Sequence, residues 1–286
     1  MTPSRVEIVE MSPRDGLQNE ARFVATSEKI RLVDMLSDCG FERIEVTSFV
    51  SPKWVPQLAD AAKVMAGIVR RPGTRYVALT PNMKGFEAAL AADASEIAIF
   101  ASASEAFSQR NINCSIAESI ERFRPVAEAS RTAGIPMRGY VSCVVECPYE
   151  GAVAPHAAAM VAAQLRRLGC FEISLGDTIG RGRPEAVDHM LARVLEDVPA
   201  SMLAGHFHDT SSRALENIDV AMQRGLAVFD ASIGGLGGCP YAPGAKGNVD
   251  TLAVARHLQN KGIETGLAID RLEDVARFAR GLRSDG

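Results

Sequence analysis

Met202-Leu203-Ala204-Gly205-His206-Phe207-His208, with the helical pattern Arg213–Gln223 behind it, is the stretch whose reading decides the fold. An apolar run that turns polar at its end reads as a buried strand reaching a surface. The helical run completes one strand-then-helix unit. Side chains alternate faces along a strand, so His206 and His208 point one way and Phe207 the other. A rise of roughly 3.3 Å per residue sets the two imidazoles about 7 Å apart at the backbone, close enough to converge on one divalent ion. Histidines at a strand end also serve as plain hydrogen-bonding residues, so the pair gains meaning only from the rest of the chain.

Outward from that unit, the same pattern recurs. The predicted strands are Val6–Met11, Arg43–Phe49, Arg75–Leu79, Glu96–Phe100, Met137–Cys143, Phe171–Leu175, Met202–His208 and Val228–Ile233. Helical patterns fall at Ser27–Ser37, Gln57–Val69, Lys84–Ala92, Ile116–Ala133, His156–Leu168, Pro184–Leu195, Arg213–Gln223 and Thr251–Asn260. Thr26 supplies capping chemistry and Pro184 suits a first helical position. Gly40, Gly134, Gly169 and Gly225 each follow a helical run, where a helix stop calls for positive φ. Eight such units in order predict an α/β fold, a closed parallel TIM (β/α)8 barrel. A doubly wound open sheet is the alternative, but no Gly-x-Gly-x-x-Gly turn follows the first strand. A further helix, Arg271–Leu282, is extra and could cap the barrel. No Gly-, Pro- or Ser-rich linker divides the chain, so residues 1–286 read as one catalytic domain.

Composition narrows the class. Of 286 residues, 47% are hydrophobic, enough for a large core, and the net charge is −4. No basic stripe suggests nucleic acid. No apolar run approaches the roughly 20 residues that span a bilayer. The first residues carry acids where a signal peptide would be apolar, so a cytoplasmic protein is expected. The six cysteines form no Cys-x-x-Cys pair and read as reduced thiols, mostly packing residues.

A barrel of this kind carries its chemistry at the C-terminal ends of the strands. Polar residues do follow them: Arg14 and Asp15 after strand one, Glu45, Thr47 and Ser48 on strand two, Asp177 and Thr178 after strand six, and His206, His208 and Asp209 on strand seven. Asp15, His206 and His208 would give an ion one oxygen and two nitrogens, with Asn248 as a candidate fourth ligand. Such a set, with open positions, suits Mg²⁺ or Mn²⁺ better than a sealed zinc. Asp209 could instead orient an imidazole. A guanidinium at Arg14 would stabilise an enolate oxygen. A carboxylate at Glu45 facing the core needs a partner, and Arg14 is the obvious one. The loop 234–248, with Gly234, Gly235, Gly237, Gly238, Gly244 and Gly247, reads as a glycine-rich lid carrying Cys239, whose thiol can act as a general acid. It lacks the Gly-Lys-Ser/Thr ending of a phosphate-binding loop.

These residues together resemble the 3-hydroxy-3-methylglutaryl-CoA lyase family, TIM-barrel metallolyases named for an Asp-Arg-Glu set. The matching segments run in order through nearly the whole chain: 13–20, 47–54, 111–115, 138–143, 147–151, 172–180, 206–210 and 235–248. The Gly-Gly-Cys-Pro-Tyr-Ala loop is the most specific of them. The resemblance implies Mg²⁺ or Mn²⁺ at Asp15, His206, His208 and Asn248, and Arg14 near a thioester carbonyl with Glu45 supporting it. It further implies Asp177 near the reacting hydroxyl, Cys239 as loop thiol, and a homodimer or higher oligomer. The implied reaction is retro-Claisen cleavage of 3-hydroxy-3-methylglutaryl-CoA to acetyl-CoA and acetoacetate, a step of leucine degradation and ketone-body formation, with His206 or Asp177 as base. Ser211-Ser212-Arg213, Arg181, Arg183 and Glu146 depart from the family pattern near the mouth, which raises a related or longer branched 3-hydroxyacyl-CoA as alternative substrate. Lys53, Lys84 and Arg110 are candidates for the CoA nucleotide on charge alone. A condensing aldolase relative and a non-catalytic acyl-CoA-binding protein are the competing classes. The lyase-like cysteine loop weighs against the first and the intact residue set against the second.

Overall fold

A computed structural model describes residues 2–237 and 247–283. Eight parallel strands close on themselves: β1 (Glu7–Glu10), β2 (Arg43–Ser48), β3 (Arg75–Leu79), β4 (Glu96–Ser102), β5 (Met137–Ser142), β6 (Glu172–Asp177), β7 (Leu203–Phe207) and β8 (Val228–Ala231). The barrel shuts where β1 pairs with β8, from Glu7 opposite Val228 to Glu10 opposite Ala231. Around it lie α1 (Thr26–Ser37), α2 (Ala61–Gly67), α3 (Met83–Ala91), α4 (Glu105–Ile112), α5 (Ile116–Ala133), α6 (Pro155–Leu168), α7 (Pro184–Val194), α8 (Ala214–Gln223), α9 (Thr251–Asn260) and α10 (Ile269–Arg280).

The strands are buried on both faces, but the two faces differ in chemistry. Ile44, Val46, Ile173 and Leu175 join the large apolar cluster shared with the helices. Their neighbours Arg43, Glu45, Glu172 and Ser174 are just as buried and point the other way. Arg43 on β2 reaches Glu172 on β6, at 2.7 and 3.0 Å. Those strands are not neighbours in the barrel, so the contact crosses its interior. The interior is therefore largely ionic, where many barrels are filled with branched apolar side chains. One apolar patch remains inside, made of Val9, Met11, Val77, Leu79, Ala98 and Tyr140.

Helix stops follow backbone physics. Gly40, Gly134, Gly169 and Gly225 all take positive φ, at 93°, 68°, 107° and 91°. Pro184 opens α7 as predicted. Other boundaries move. Thr26 is the first residue of α1 rather than its cap, and its hydroxyl donates to Asp60 at 2.7 Å. The predicted helix Gln57–Val69 splits into a single turn, Pro56–Leu58, and the short α2. The helix α4 has no counterpart in the sequence reading. It is polar except for a few positions, and Ser104 caps it by accepting from the Phe107 N–H at 3.0 Å. Its origin is the cap rather than an apolar stripe. The extra helix α10 packs in the outer layer against α1, α9 and the turn Ile233–Gly235.

Candidate active site

Arg14, Asp15, Glu45, His206, His208 and Asn248 come to one place, while the Asp177 carboxylate bonds to none of them. After β1 the chain makes a wide five-residue turn, Ser12–Gly16, closed by an i→i+5 bond from the Gly16 N–H to the Met11 carbonyl at 3.1 Å. Turns of this width are rare and occur frequently at functional sites. On an extended chain Arg14 and Asp15 would diverge. Here the turn brings them together, and Arg14 Nη1 donates to Asp15 Oδ1.

His206 on β7 and His208 just beyond it turn toward Asp15, and candidate ligand atoms of the three residues all lie within 4.8 Å of one another. The two Nε2 atoms face each other at 3.2 Å. Two lone pairs at that distance need a proton or a cation between them. His206 Nδ1 meets Asp230 Oδ2 at 3.1 Å, which places its proton on Nδ1 and turns Nε2 to the cluster. His208 Nδ1 is buried without a hydrogen-bond partner. Asn248 arrives through a bridge to His208 and donates from Nδ2 to Asp15 Oδ2 at 2.7 Å. In this orientation it is a partner of Asp15, and ligation through Oδ1 requires half a turn of the amide.

Electrostatics prepares the same groups. Burial alone would raise the Asp15 carboxyl, but Arg14, His206 and His208 outweigh it and hold it at about 2. Burial, with His206 and Arg14 adding, pushes His208 down to about 4, against the pull of Asp15. At neutral pH the trio thus offers a carboxylate and a neutral imidazole at His208, the forms that ligate metal. An oxygen-and-nitrogen set with room for further ligands fits a divalent cation of the Mg²⁺ or Mn²⁺ type.

Glu45 faces inward as required. Its carboxylate, fully buried, accepts from Arg14 Nε on one oxygen and from the Tyr140 hydroxyl on the other. The ladder between β2 and β3 slips between Glu45 and Thr47, an irregularity common beside active sites. Burial would lower the Arg14 pKa, yet the Glu45 and Asp15 carboxylates keep it raised, so the guanidinium stays charged.

Asp177 ends β6, buried, and its carboxylate accepts from the N–H groups of Gly182 at 2.8 Å and Arg181 at 3.3 Å. Burial still lifts it to about 6 against those bonds. Arg181 and Glu146, two of the departures from the family pattern, form an ion pair at 3.2 Å. Lys53, Lys84 and Arg110 are exposed, and Arg110 lies over the Tyr149 ring at 4.4 Å. Cys239 and most of the predicted lid lie outside the described residues. At its base, Gly234, Gly235 and Gly237 all have positive φ, and a Cβ on Gly237 would come within 2.6 Å of Asn248 Nδ2.

Tyr140, Arg138 and Asp230 were given no role in the sequence reading, although the first two lie in the matching segment 138–143. The signal was available as charged or hydroxylated residues inside strands whose neighbours are apolar, Arg138-Gly139-Tyr140-Val141 and Val228-Phe229-Asp230-Ala231. A buried ion in a core strand needs a partner, which makes such residues worth pairing in advance.

A family model described as HMGL-like matches residues 5–279. The chain belongs to the HMGL-like family. Within it, the chain is 56% identical over 276 residues to a protein of Gallus gallus named hydroxymethylglutaryl-CoA lyase, mitochondrial, with 96% of this chain and 93% of that one covered. It is 55% identical over 275 residues to a Pseudomonas aeruginosa protein named 3-hydroxy-3-isohexenylglutaryl-CoA/hydroxy-methylglutaryl-CoA lyase, covering 96% and 92%. The crystal structure of the HMG-CoA lyase from Brucella melitensis superposes with a TM-score of 0.97 at 64% identity, covering 98% of this chain and 99% of that one. Among the described residues, no helix is long and apolar enough to cross a membrane.

Proposed function

We infer that this protein is a divalent-cation-dependent carbon–carbon lyase that cleaves 3-hydroxy-3-methylglutaryl-CoA to acetyl-CoA and acetoacetate. The observation that carries this reading is the meeting of Asp15, His206 and His208 beside an Arg14 held by Glu45, in a chain matched to the HMGL-like family from residue 5 to 279.

Asp15, His206 and His208, with Asn248 after rotation of its amide, would hold the cation. When bound, the cation supplies Lewis acidity that lowers the pKa of a substrate hydroxyl. His206, with Nδ1 held by Asp230 and Nε2 facing the cluster, and Asp177, whose buried carboxyl is lifted to about 6, are the two candidates to take the hydroxyl proton. As the hydroxyl proton leaves, its oxygen becomes the ketone of acetoacetate and the C2–C3 bond breaks. That electron pair moves onto the thioester as an enolate. Arg14, braced by Glu45, stabilises the oxygen where this charge develops, and a fixed donor of that kind is worth roughly 100-fold or more in rate. Cys239 delivers a proton to C2, giving acetyl-CoA.

A second substrate is favoured by two observations, the double name of the Pseudomonas relative and the Arg181–Glu146 pair at the mouth. Purified protein with Mg²⁺ should release acetyl-CoA from 3-hydroxy-3-methylglutaryl-CoA and stop when the metal is chelated. The same assay with 3-hydroxy-3-isohexenylglutaryl-CoA decides the range of acyl groups accepted. Failure to release acetyl-CoA from any tertiary 3-hydroxyacyl-CoA would reject the lyase reading in favour of a condensing or non-catalytic protein. A homodimer or higher assembly and a cytoplasmic location belong to this proposal. Light scattering and cell fractionation test them.

A further inference from the structure

The buried polar groups at the mouth form one chain of hydrogen bonds, and its middle link is a residue with no assigned task. Arg138 on β5 is 1% exposed and spends its three nitrogens on three different groups. Nη2 donates to Asp230 Oδ1 at 2.7 Å, Nη1 to the Tyr140 hydroxyl at 2.9 Å, and Nε to Glu172 Oε1 at 2.6 Å. From Asp230 the chain runs to His206 Nδ1 at 3.1 Å. From Tyr140 it runs to Glu45 and on to Arg14 Nε. Arg14 then bonds Asp15, so the two ends come together again at the cation cluster.

We propose that Arg138 is a positioning residue that sets both arms of the site at once, orienting His206 through Asp230 and Arg14 through Tyr140 and Glu45. The argument is geometric. Asp230 Oδ1 is taken by Arg138, and Oδ2 receives the Ser174 hydroxyl at 2.7 Å. The carboxylate plane is thereby fixed, and its remaining lone pair can only accept, so it holds the His206 ring with the proton on Nδ1 and Nε2 facing the cluster. On the other arm, Arg138 Nη1 donates to the Tyr140 oxygen and so sends the hydroxyl proton to Glu45. Glu45 is then a doubly held brace for Arg14. A lysine cannot copy this, because its donors all leave one atom, whereas the guanidinium fork serves three directions from a rigid plane. The proposal rests on the cation-site reading given above.

The test compares Arg138→Lys with Arg43→Lys. Arg43 is equally buried and shares Glu172, but its other partners are Glu7 and, at 3.6 Å, Glu96, which bond to neither arm. It therefore controls for the cost of disturbing a buried ion network. Mn²⁺ alone is the binding probe, titrated by calorimetry, and the His206 tautomer is read from ¹⁵N–¹H spectra of metal-free, histidine-labelled protein. We expect Arg138→Lys to weaken Mn²⁺ binding about 10–100-fold, the usual range for a partner that orients a ligand. It should also redistribute the His206 tautomer and lower kcat at saturating Mn²⁺, while Arg43→Lys lowers only the melting temperature. Should Arg138→Lys not fold, Asp230→Asn is expected to give the same loss of affinity and the same tautomer change. The proposal is overturned by a folded variant that keeps wild-type Mn²⁺ affinity and tautomer, or by equal losses in the Arg43 control. If wild-type protein binds no Mn²⁺ yet the tautomer responds as expected, the cation site fails while the orienting role stands.

Discussion

The mouth and the floor of this barrel are built from the same side chains and behave as opposites. On the floor, Arg43 is held by Glu7 at 2.6 and 3.0 Å and by Glu172 at 2.7 and 3.0 Å, so every ion closes on another ion. At the mouth, two imidazole nitrogens face each other at 3.2 Å beside a carboxylate, and His208 Nδ1 has no partner. Burial of charge does not distinguish the two regions. Convergence does: on the floor even Glu96, whose buried oxygens make no hydrogen bond, lies in ion pairs with Arg43 at 3.6 Å and Arg75 at 3.1 Å, whereas at the mouth ligand atoms of three residues aim at a common point.

Four outcomes would break or sharpen that contrast. The largest effect is expected at the convergent cluster. Asp15→Asn or His208→Ala should lower lyase turnover at least about 100-fold with folding intact, since each removes a group aimed at the reaction rather than at the scaffold. Circular dichroism together with an acetyl-CoA assay checks both. Next comes Cys239→Ala, for which turnover should fall roughly 100-fold, within the range of a lost general acid, while Mn²⁺ affinity stays put. Parallel loss of both would assign the thiol to the cation site instead. On the floor the pattern should invert. Arg43→Met strips Glu7 of its buried guanidinium and leaves Glu172 with Arg138 alone, and should cost about 3–5 kcal/mol of stability, read by denaturant titration, with kcat/KM of the folded enzyme nearly unchanged.

The smallest expected effect is a pH slope from Glu10. This carboxyl is buried against the helix layer and accepts from Ser12 N at 2.9 Å, Ile233 N at 3.0 Å and Thr251 Oγ1 at 2.7 Å. Burial outweighs those bonds and lifts it to about 7, from an ordinary value of 4.5. Between those values the folded chain binds the proton more tightly than the unfolded chain. The Glu10 contribution is therefore fully present below about 4.5 and is lost as pH rises through about 7. Melting temperatures from pH 5 to 8 should show that decline, and Glu10→Gln should flatten it. An unchanged slope in Glu10→Gln would assign the decline to another group, with Glu96, also lifted to about 7 by burial, as the next to test.

The barrel was legible because each unit repeats a local rule: an apolar strand, an amphipathic helix, and a glycine where φ must turn positive. Asp15, His206 and His208 were legible because they follow strands whose C-terminal ends carry the chemistry in a barrel of this kind, and because several strand ends agree. The partners of those residues were not. Tyr140 and Asp230 lie 95 and 24 positions from the residues they hold, Glu45 and His206; the first pair meets across the barrel interior and the second through the register of β7 and β8. The pairing of Arg14 with Asp15 was hidden for another reason, since an extended backbone would send adjacent side chains apart. Helix α4 escaped because its cap, rather than an apolar stripe, defines it.

The five-residue turn at Ser12–Gly16 has one further effect. It fastens a guanidinium and a carboxylate to consecutive positions of a single tight loop, packed so closely that a methyl group on Gly16 would press on Ser232 and Leu236 at 2.7 and 2.9 Å. The two charges are bonded to each other as well as to the same loop. Any displacement of the carboxylate is passed to the positive group next to it through the Arg14 Nη1–Asp15 Oδ1 bond.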